Sequence, residues 1–345
     1  MSQYILPPEW APQSAVQLTW SHGDSDWAPY LIEVEPVFVE LARQISLREK
    51  VLIACHDEDL REHVRTLLHR AGVNEQNLRL LVAPSNDTWA RDHGPITVFD
   101  GGKPCLLDFG FNGWGLKYRA NFDNQITRRL HAQGAFGDAP LRTIGMILEG
   151  GGIESDGQGT LLTTAECLLS PNRNPHLSPE ELEAELRRLF GVQRVLWLHH
   201  GYLAGDDTDS HVDTLARLCS ADTIAYVRCD DPADEHFEAL MAMETELQGF
   251  RTLDGKPYHL VPLPWPAPRR NAEGDRLPAT YANFLIINGA VLVPTYRDTQ
   301  DAAALSALAA CFPDREIIGI DCSPLIQQFG SLHCVTMQIP EGVVP

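Results

Sequence analysis

The chain has 345 residues, 44% of them hydrophobic and 21% charged, with a formal net charge of −20 from 47 acidic and 27 basic residues. This is ordinary globular composition with ample core material, and no run approaches the ~20 apolar residues that a membrane span requires. The acidic field and the lack of a Lys/Arg cluster argue against nucleic acid as a partner and favour a small cationic ligand over an anionic one.

The first eight residues have neither a basic region nor an apolar signal segment. The eight cysteines (Cys55, Cys105, Cys167, Cys219, Cys229, Cys311, Cys322, Cys334) are scattered, with no CxxC pair. That spacing speaks against a disulfide framework or a zinc knuckle and for a reducing cytoplasm.

Taken in chain order, residues 16–20 read as a strand without a nearby hairpin partner, followed by a helix over 30–45 and a strand over 50–54. From there one order of elements recurs: hairpin, helix, strand. Strands over 94–99 and 104–109 flank an Asp100-Gly101-Gly102 turn, ahead of a helix at 124–132 and a strand at 143–148. A second hairpin turns at 156–159 and runs into a strand at 161–164. Ser178-Pro179-Glu180-Glu181 then caps an amphipathic helix that precedes a strand over 195–198. A third unit has strands at 212–218 and 223–227, a helix at 235–248 and a strand at 258–263. The fourth turns at Asn288-Gly289, the strongest short hairpin signal, between strands over 283–287 and 290–293. A helix at 301–311 and a strand at 316–320 complete it.

The remaining run, 335–339, is left to pair with 16–20, so a fifth unit is split across the termini. The repeat predicts an α/β fold of five ββαβ units closed into one ring, a single domain over 1–345 with no free sheet edge. An ordinary open α/β sheet would not explain the hairpin alternation or the shared termini.

A ring of this kind brings residues at strand ends and turns to its centre. Cys334 lies in Gly330-Ser331-Leu332-His333-Cys334-Val335-Thr336, ahead of an alternating strand. A thiol raised on such a turn suits a nucleophile, although by itself it reads first as a small core hydrophobe. His211 and Asp213 stand two apart at the start of an extended run, where period-2 geometry puts both on one face. Glu149 ends a strand before three glycines, which allow close approach of backbone or ligand. Trp89 and Asp92 belong to Trp89-Ala90-Arg91-Asp92-His93-Gly94-Pro95.

A metal site would draw on His93, His199, His200 and His211, but there is no HExxH, no HxH on one strand and no cysteine pair. A Cys-His-Asp peptidase would leave the gathered carboxylates without a purpose. Carboxylates around a cysteine make sense if the electrophile is a cation. A guanidinium offers a planar fork of N–H donors to paired carboxylates, and Trp89 could lie against its flat face.

These runs, with Glu149-Gly150-Gly151-Gly152-Ile153, Leu162 to Leu169, Asn172-Arg173-Asn174-Pro175 and His211-Val212-Asp213, resemble the agmatine deiminase / bacterial peptidyl-arginine deiminase-like family of the pentein superfamily. They occur in family order across nearly the whole chain. The resemblance implies a five-bladed pseudo-symmetric α/β propeller that needs no metal or organic cofactor. It implies Cys334 as nucleophile, His211 as general acid and then base, and Asp92 and Asp213 as holders of the guanidinium. Glu149 would pair with His211. An S-amidino-cysteine intermediate would be hydrolysed to a ureido product. The chain departs from the family pattern at Asp207-Thr208-Asp209-Ser210, in place of Glu-Thr-Asn-Gly, and at Phe329-Gly330-Ser331-Leu332, in place of Gly-Gly-Gly-Asn-Ile. Asp207 is the candidate acid for a far ammonium, which favours agmatine as substrate and N-carbamoylputrescine as product. Arginine or peptidyl-arginine deimination is the alternative. A catalytically silent pentein acting as a binding module is the non-enzymatic one, and homo-oligomerisation stays open.

Overall fold

A computed structural model describes residues 4–345. At Asn288-Gly289 the strands Leu285–Ile287 and Ala290–Thr295 pair antiparallel, with Ile287 opposite Ala290 and Leu285 opposite Leu292. The helix Asp301–Cys311 then carries the chain back, and Glu316–Asp321 joins parallel to the second hairpin strand. An antiparallel pair needs only a tight turn, whereas a parallel neighbour needs a crossover, so hairpin–helix–strand builds a small mixed sheet.

The same sheet recurs in Ile96–Asp100, Lys103–Gly110 and Leu141–Ile147. It recurs again in Ile153–Ser155, Thr160–Thr164 and Arg194–Leu198, and in Ala216–Ser220, Thr223–Val227 and His259–Leu263. The fifth copy joins the two ends of the chain. Thr336–Pro340 pairs antiparallel with Gln13–Thr19, Thr336 opposite Leu18 and Ile339 opposite Ala15, and Lys50–Cys55 adds in parallel. The architecture is the five-bladed α/β propeller expected from the repeat.

Local signals explain most boundaries. The helix Pro179–Phe190 opens on a capping box between Ser178 and Glu181 and closes on Gly191 at φ +69°, which is the left-handed C-cap that glycine adopts freely. Its buried stripe is Leu182, Leu186, Leu189 and Phe190. Two elements of the fifth blade escape the sequence reading, the helix Glu58–Arg70 and the strand Leu78–Val82, which adds beyond Lys50–Cys55. Only Val64 and Leu68 of that helix are buried, so its apolar period is lost among charges. Tyr4–Ile5 also pairs antiparallel with the strand Ile96–Asp100, and Arg269–Arg270 forms a short ribbon with Arg276–Leu277.

Two apolar cores flank the axis, one around Trp20, Phe38, Tyr281 and Phe284, the other around Phe109, Phe136, Leu186 and Phe190. Between the blades lie buried charges, among them Glu9, Arg91, Glu154 and Arg217. No helix among the described residues is long and apolar enough to cross a membrane.

Candidate active site

Cys334 sits on the turn over 332–335, just ahead of the strand Thr336–Pro340, and is 5% exposed. Its carbonyl accepts from Arg91 N at 3.1 Å, which ties the turn to the short helix Ala90–His93. Asn283 faces the thiol, with Nδ2 3.3 Å and Oδ1 3.4 Å from Sγ, and its Oδ1 also accepts from His333 N at 2.9 Å. The glycine near the cysteine has a steric purpose. A Cβ at Gly330 would lie 2.2 Å from the Trp89 ring. Gly330→Ala should therefore push Trp89 out of place and raise KM for a guanidino substrate by about tenfold or more; steady-state kinetics with a melting curve checks this, and an unchanged KM would remove Trp89 from the binding wall.

His211 and Asp213 do come together, but not through strand alternation. Asp213 lies in the 3₁₀ turn Val212–Thr214 and His211 is the extended residue before it, at φ −53° and ψ 135°; the strand begins only at Ala216. The turn forms because Thr214 donates twice to the His211 carbonyl, from N at 3.2 Å and from Oγ1 at 2.8 Å. Gly151 marks where the groups meet. A Cβ there would stand 2.5 Å from His211 Nδ1, 3.0 Å from Asp92 Oδ1 and 3.2 Å from Asp213 Oδ2. The glycine run after Glu149 thus gives the close backbone approach expected of it.

The electrostatics separate the groups. Asp92 Oδ2 accepts from Trp114 Nε1 at 2.9 Å and Oδ1 from Gly151 N at 3.1 Å, while burial pushes its carboxyl up to about 6. Burial works against an imidazolium at His211, but Asp92 at 3.6 Å, with Cys167 and Glu149, outweighs it and holds the pKa well above the usual histidine range. Burial also opposes a charge on Asp213, yet the hydrogen bond from His333 Nδ1 at 2.7 Å and the charges of His333 and His211 bring its pKa down. Asp213 Oδ1 and both ring nitrogens of His211 have no hydrogen-bond partner among the described residues. Burial first, then Asp213 and Asp92, push the Cys334 thiol well above its ordinary range.

Glu149 departs from the expected arrangement. Its hydrogen bonds go to Arg173 rather than His211, Nε lying 2.8 and 3.0 Å from the two carboxylate oxygens, and Arg173 Nη1 reaches Asp209 Oδ2 at 2.6 Å. A fully buried carboxylate takes the strongest donor within reach, which here is a guanidinium. Glu149, Cys167 and His211 bring donor atoms within 4.8 Å of one another, as do Glu9, Glu154 and His333. Arg173 ion-pairs with Glu149 of the first group and Arg217 with both carboxylates of the second. A third such group is His22, Asp24 and His56.

The thiol opens into a pocket of about 490 Å³ walled by Trp89, Trp114, Tyr118 and Phe329. Asp26, Asp87, Asp92, Asp206 and Asp207 line it, and among the described residues no Lys or Arg does. Asp207 Oδ2 accepts from Tyr118 Oη at 2.6 Å. Its neighbour Asp206 is the turn cap, accepting from Thr208 Oγ1 at 2.6 Å and Ser210 N at 2.8 Å. Asp209 and Ser210, where the family pattern has Asn-Gly, adopt φ +65° and +61°, and Phe329 adopts +66°. Each costs about 1 kcal/mol that glycine would avoid. Arg173 and Lys117 hold Asp209 in place, both at 2.6 Å. Sequence reading missed Trp114, whose only signal is its glycine neighbours, and Asn283, which reads as the first residue of the strand over 283–287.

The family model of the Porphyromonas-type peptidyl-arginine deiminases matches residues 5–340. The chain belongs to that family. Among curated members, the agmatine deiminase of Stutzerimonas stutzeri is 32% identical over 364 residues, covering 99% of this chain and 96% of that one. Among solved members, a Porphyromonas gingivalis protein provisionally described as an arginine deiminase is 53% identical, with a TM-score of 0.92 over 99% of this chain and 100% of that one. A Cys-to-Ser agmatine deiminase of C. jejuni with substrate bound is 36% identical, with a TM-score of 0.91 over 98% and 97%. The likeness to these solved members runs over nearly the whole length of each chain.

Proposed function

We propose that this family member is an agmatine deiminase, hydrolysing the guanidinium to N-carbamoylputrescine and ammonia, with residues 1–345 acting as one catalytic domain. One observation carries the choice of substrate: among the described residues, five aspartates and no Lys or Arg line the pocket beside Cys334. Arginine brings an α-carboxylate that needs a cation, whereas agmatine brings a second ammonium that needs an acid. Asp207 is the acid for that ammonium. Curated relatives named agmatine deiminase support the reading. The 53% identical P. gingivalis relative carries the competing arginine description. The eight cysteines, all free, accord with a reducing cytoplasm.

In this mechanism the guanidinium lies between Asp92 and Asp213 with Trp89 against its face. Its positive charge beside Sγ favours the thiolate that burial and the two carboxylates otherwise oppose, so the thiol gives up its proton to solvent as the cation binds. Sγ adds to the guanidinium carbon. His211, charged at rest, gives its proton to the departing nitrogen, which leaves as ammonia, and an S-amidino-cysteine remains. Neutral His211 then takes a proton from water, the hydroxide adds to the same carbon, and the C–S bond breaks to return the thiolate and release the ureido product. Glu149 supports the imidazolium by its charge, at hydrogen-bond range of Arg173.

A ureido-product assay on agmatine, arginine and an internal-arginine peptide tests the substrate. Agmatine should lead arginine by roughly 100-fold in kcat/KM, and Asp207→Asn should raise KM for agmatine about tenfold with little change in kcat. Arginine or the peptide outrunning agmatine overturns the substrate and leaves the chemistry standing.

A further inference from the structure

Behind Asp213 lies a buried chain of groups that the mechanism above does not use. His333, 1% exposed, joins two carboxylates: its Nδ1 is 2.7 Å from Asp213 Oδ2 and its Nε2 is 2.7 Å from Glu9 Oε2. Each contact needs a proton between nitrogen and oxygen, one more than a neutral imidazole between two carboxylates can supply. Glu9 is itself pinned. Arg217 Nη2 donates to Oε2 at 2.8 Å and Ile286 N to Oε1 at 2.7 Å, and Arg91 Nη2 lies 3.8 Å away. The remaining charge beside the imidazole is Glu154, held by Arg217. With Arg217 and an amide donating to Glu9 and the Arg91 charge nearby, its carboxyl is held below the usual carboxylate range despite burial. The extra proton then belongs on His333.

We propose that Glu9 and His333 are positioning residues for deimination, a buried carboxylate–imidazolium pair that fixes the orientation and the charge of Asp213. The pair occupies Asp213 Oδ2, which leaves Oδ1, unpartnered among the described residues, as the oxygen that meets the guanidinium. The same imidazolium lies one residue before the nucleophile, so the clamp that aims Asp213 also anchors the Cys334 turn. Glu9 comes from the opposite end of the chain, so the N-terminal segment reaches the catalytic centre through this contact. The proposal rests on the deiminase reading above.

The test pairs two variants with one measurement on the unaltered protein. His333→Gln should lower kcat/KM for agmatine roughly 30- to 100-fold. It should also raise and steepen the acidic limb that Asp92 otherwise sets, because Asp213, left to burial without the partner that lowers its pKa, then titrates in the same range. Glu9→Gln keeps the shape but removes the carboxylate that holds Nε2 of His333, so it should lower kcat/KM and shift the acidic limb in the same direction as His333→Gln. A merely structural role would change stability and leave that limb where it is. ¹⁵N NMR of the unaltered protein should find His333 protonated on both nitrogens at pH 7, and this readout holds even if a variant fails to fold. A neutral His333, or folded variants with unaltered KM, kcat and pH limbs, overturns the proposal. An unaltered protein inactive on every guanidine overturns the deiminase reading instead, and the NMR result still decides the charge on His333.

Discussion

Cys334→Ala should give a folded protein whose ureido-product formation falls by at least ~10⁴-fold, since no other group near the pocket can form the covalent intermediate. The thiol is buried beside Asn283 and Asp213 and removing one sulfur leaves a small void, so stability should change by only about 1 kcal/mol. The unaltered enzyme, quenched in acid during turnover, should carry an amidino adduct on Cys334 detectable by mass spectrometry; the variant should carry none. Turnover by the variant within tenfold of the unaltered enzyme would refute covalent catalysis here. Cys167 is the other thiol close to His211, but it is fully buried, its pKa is raised by burial and it does not line the pocket.

The second large effect is expected at Asp92. Its carboxyl, pushed up to about 6 by burial, must be ionised to hold the guanidinium. Activity that depends on it is full well above that value and lost as pH falls through it. The profile of kcat/KM, which reports the free enzyme, should therefore drop about tenfold per unit below about 6. Asp92→Asn keeps an acceptor for Trp114 Nε1 but removes a charge at the reacting centre, and kcat/KM at pH 8 should fall roughly 10³-fold. The alkaline side should change as well. Asp92 is the largest of the charges that raise the His211 pKa, so the imidazolium should be lost at lower pH in the variant. A profile from pH 5 to 10 on both proteins checks both limbs. A variant within tenfold of the unaltered enzyme, with the same acidic limb, would take Asp92 out of guanidinium binding.

Much of the fold was legible because its cues are short-range. Asn288-Gly289 specifies a hairpin, Ser178-Pro179-Glu180-Glu181 opens a helix, and the unpaired apolar runs at 16–20 and 335–339 had to find each other. Where a charged surface masked the apolar period, as in Glu58–Arg70, the element was invisible. The site residues were recognisable as types and as motifs, but the geometry between them was not. Alternation suggested a strand at His211 and Asp213, and a 3₁₀ turn held by Thr214 is what brings them together.

By itself, then, the sequence determined the five hairpin–helix–strand units and the closure through the termini, because turn chemistry and hydrophobic period act between near neighbours, whereas a common site for Cys334, His211, Asp213, Asp92 and Glu149 was implied only by the resemblance of their motifs to a family. Only the tertiary structure decided which buried charge faces which: Arg173 on Glu149, Asp206 rather than Asp207 capping the turn, and Glu9 reaching His333 across 324 residues of chain. Those choices follow from desolvation. A charge taken out of water must find the strongest partner that the packed blades bring within hydrogen-bond range, whatever its distance along the chain.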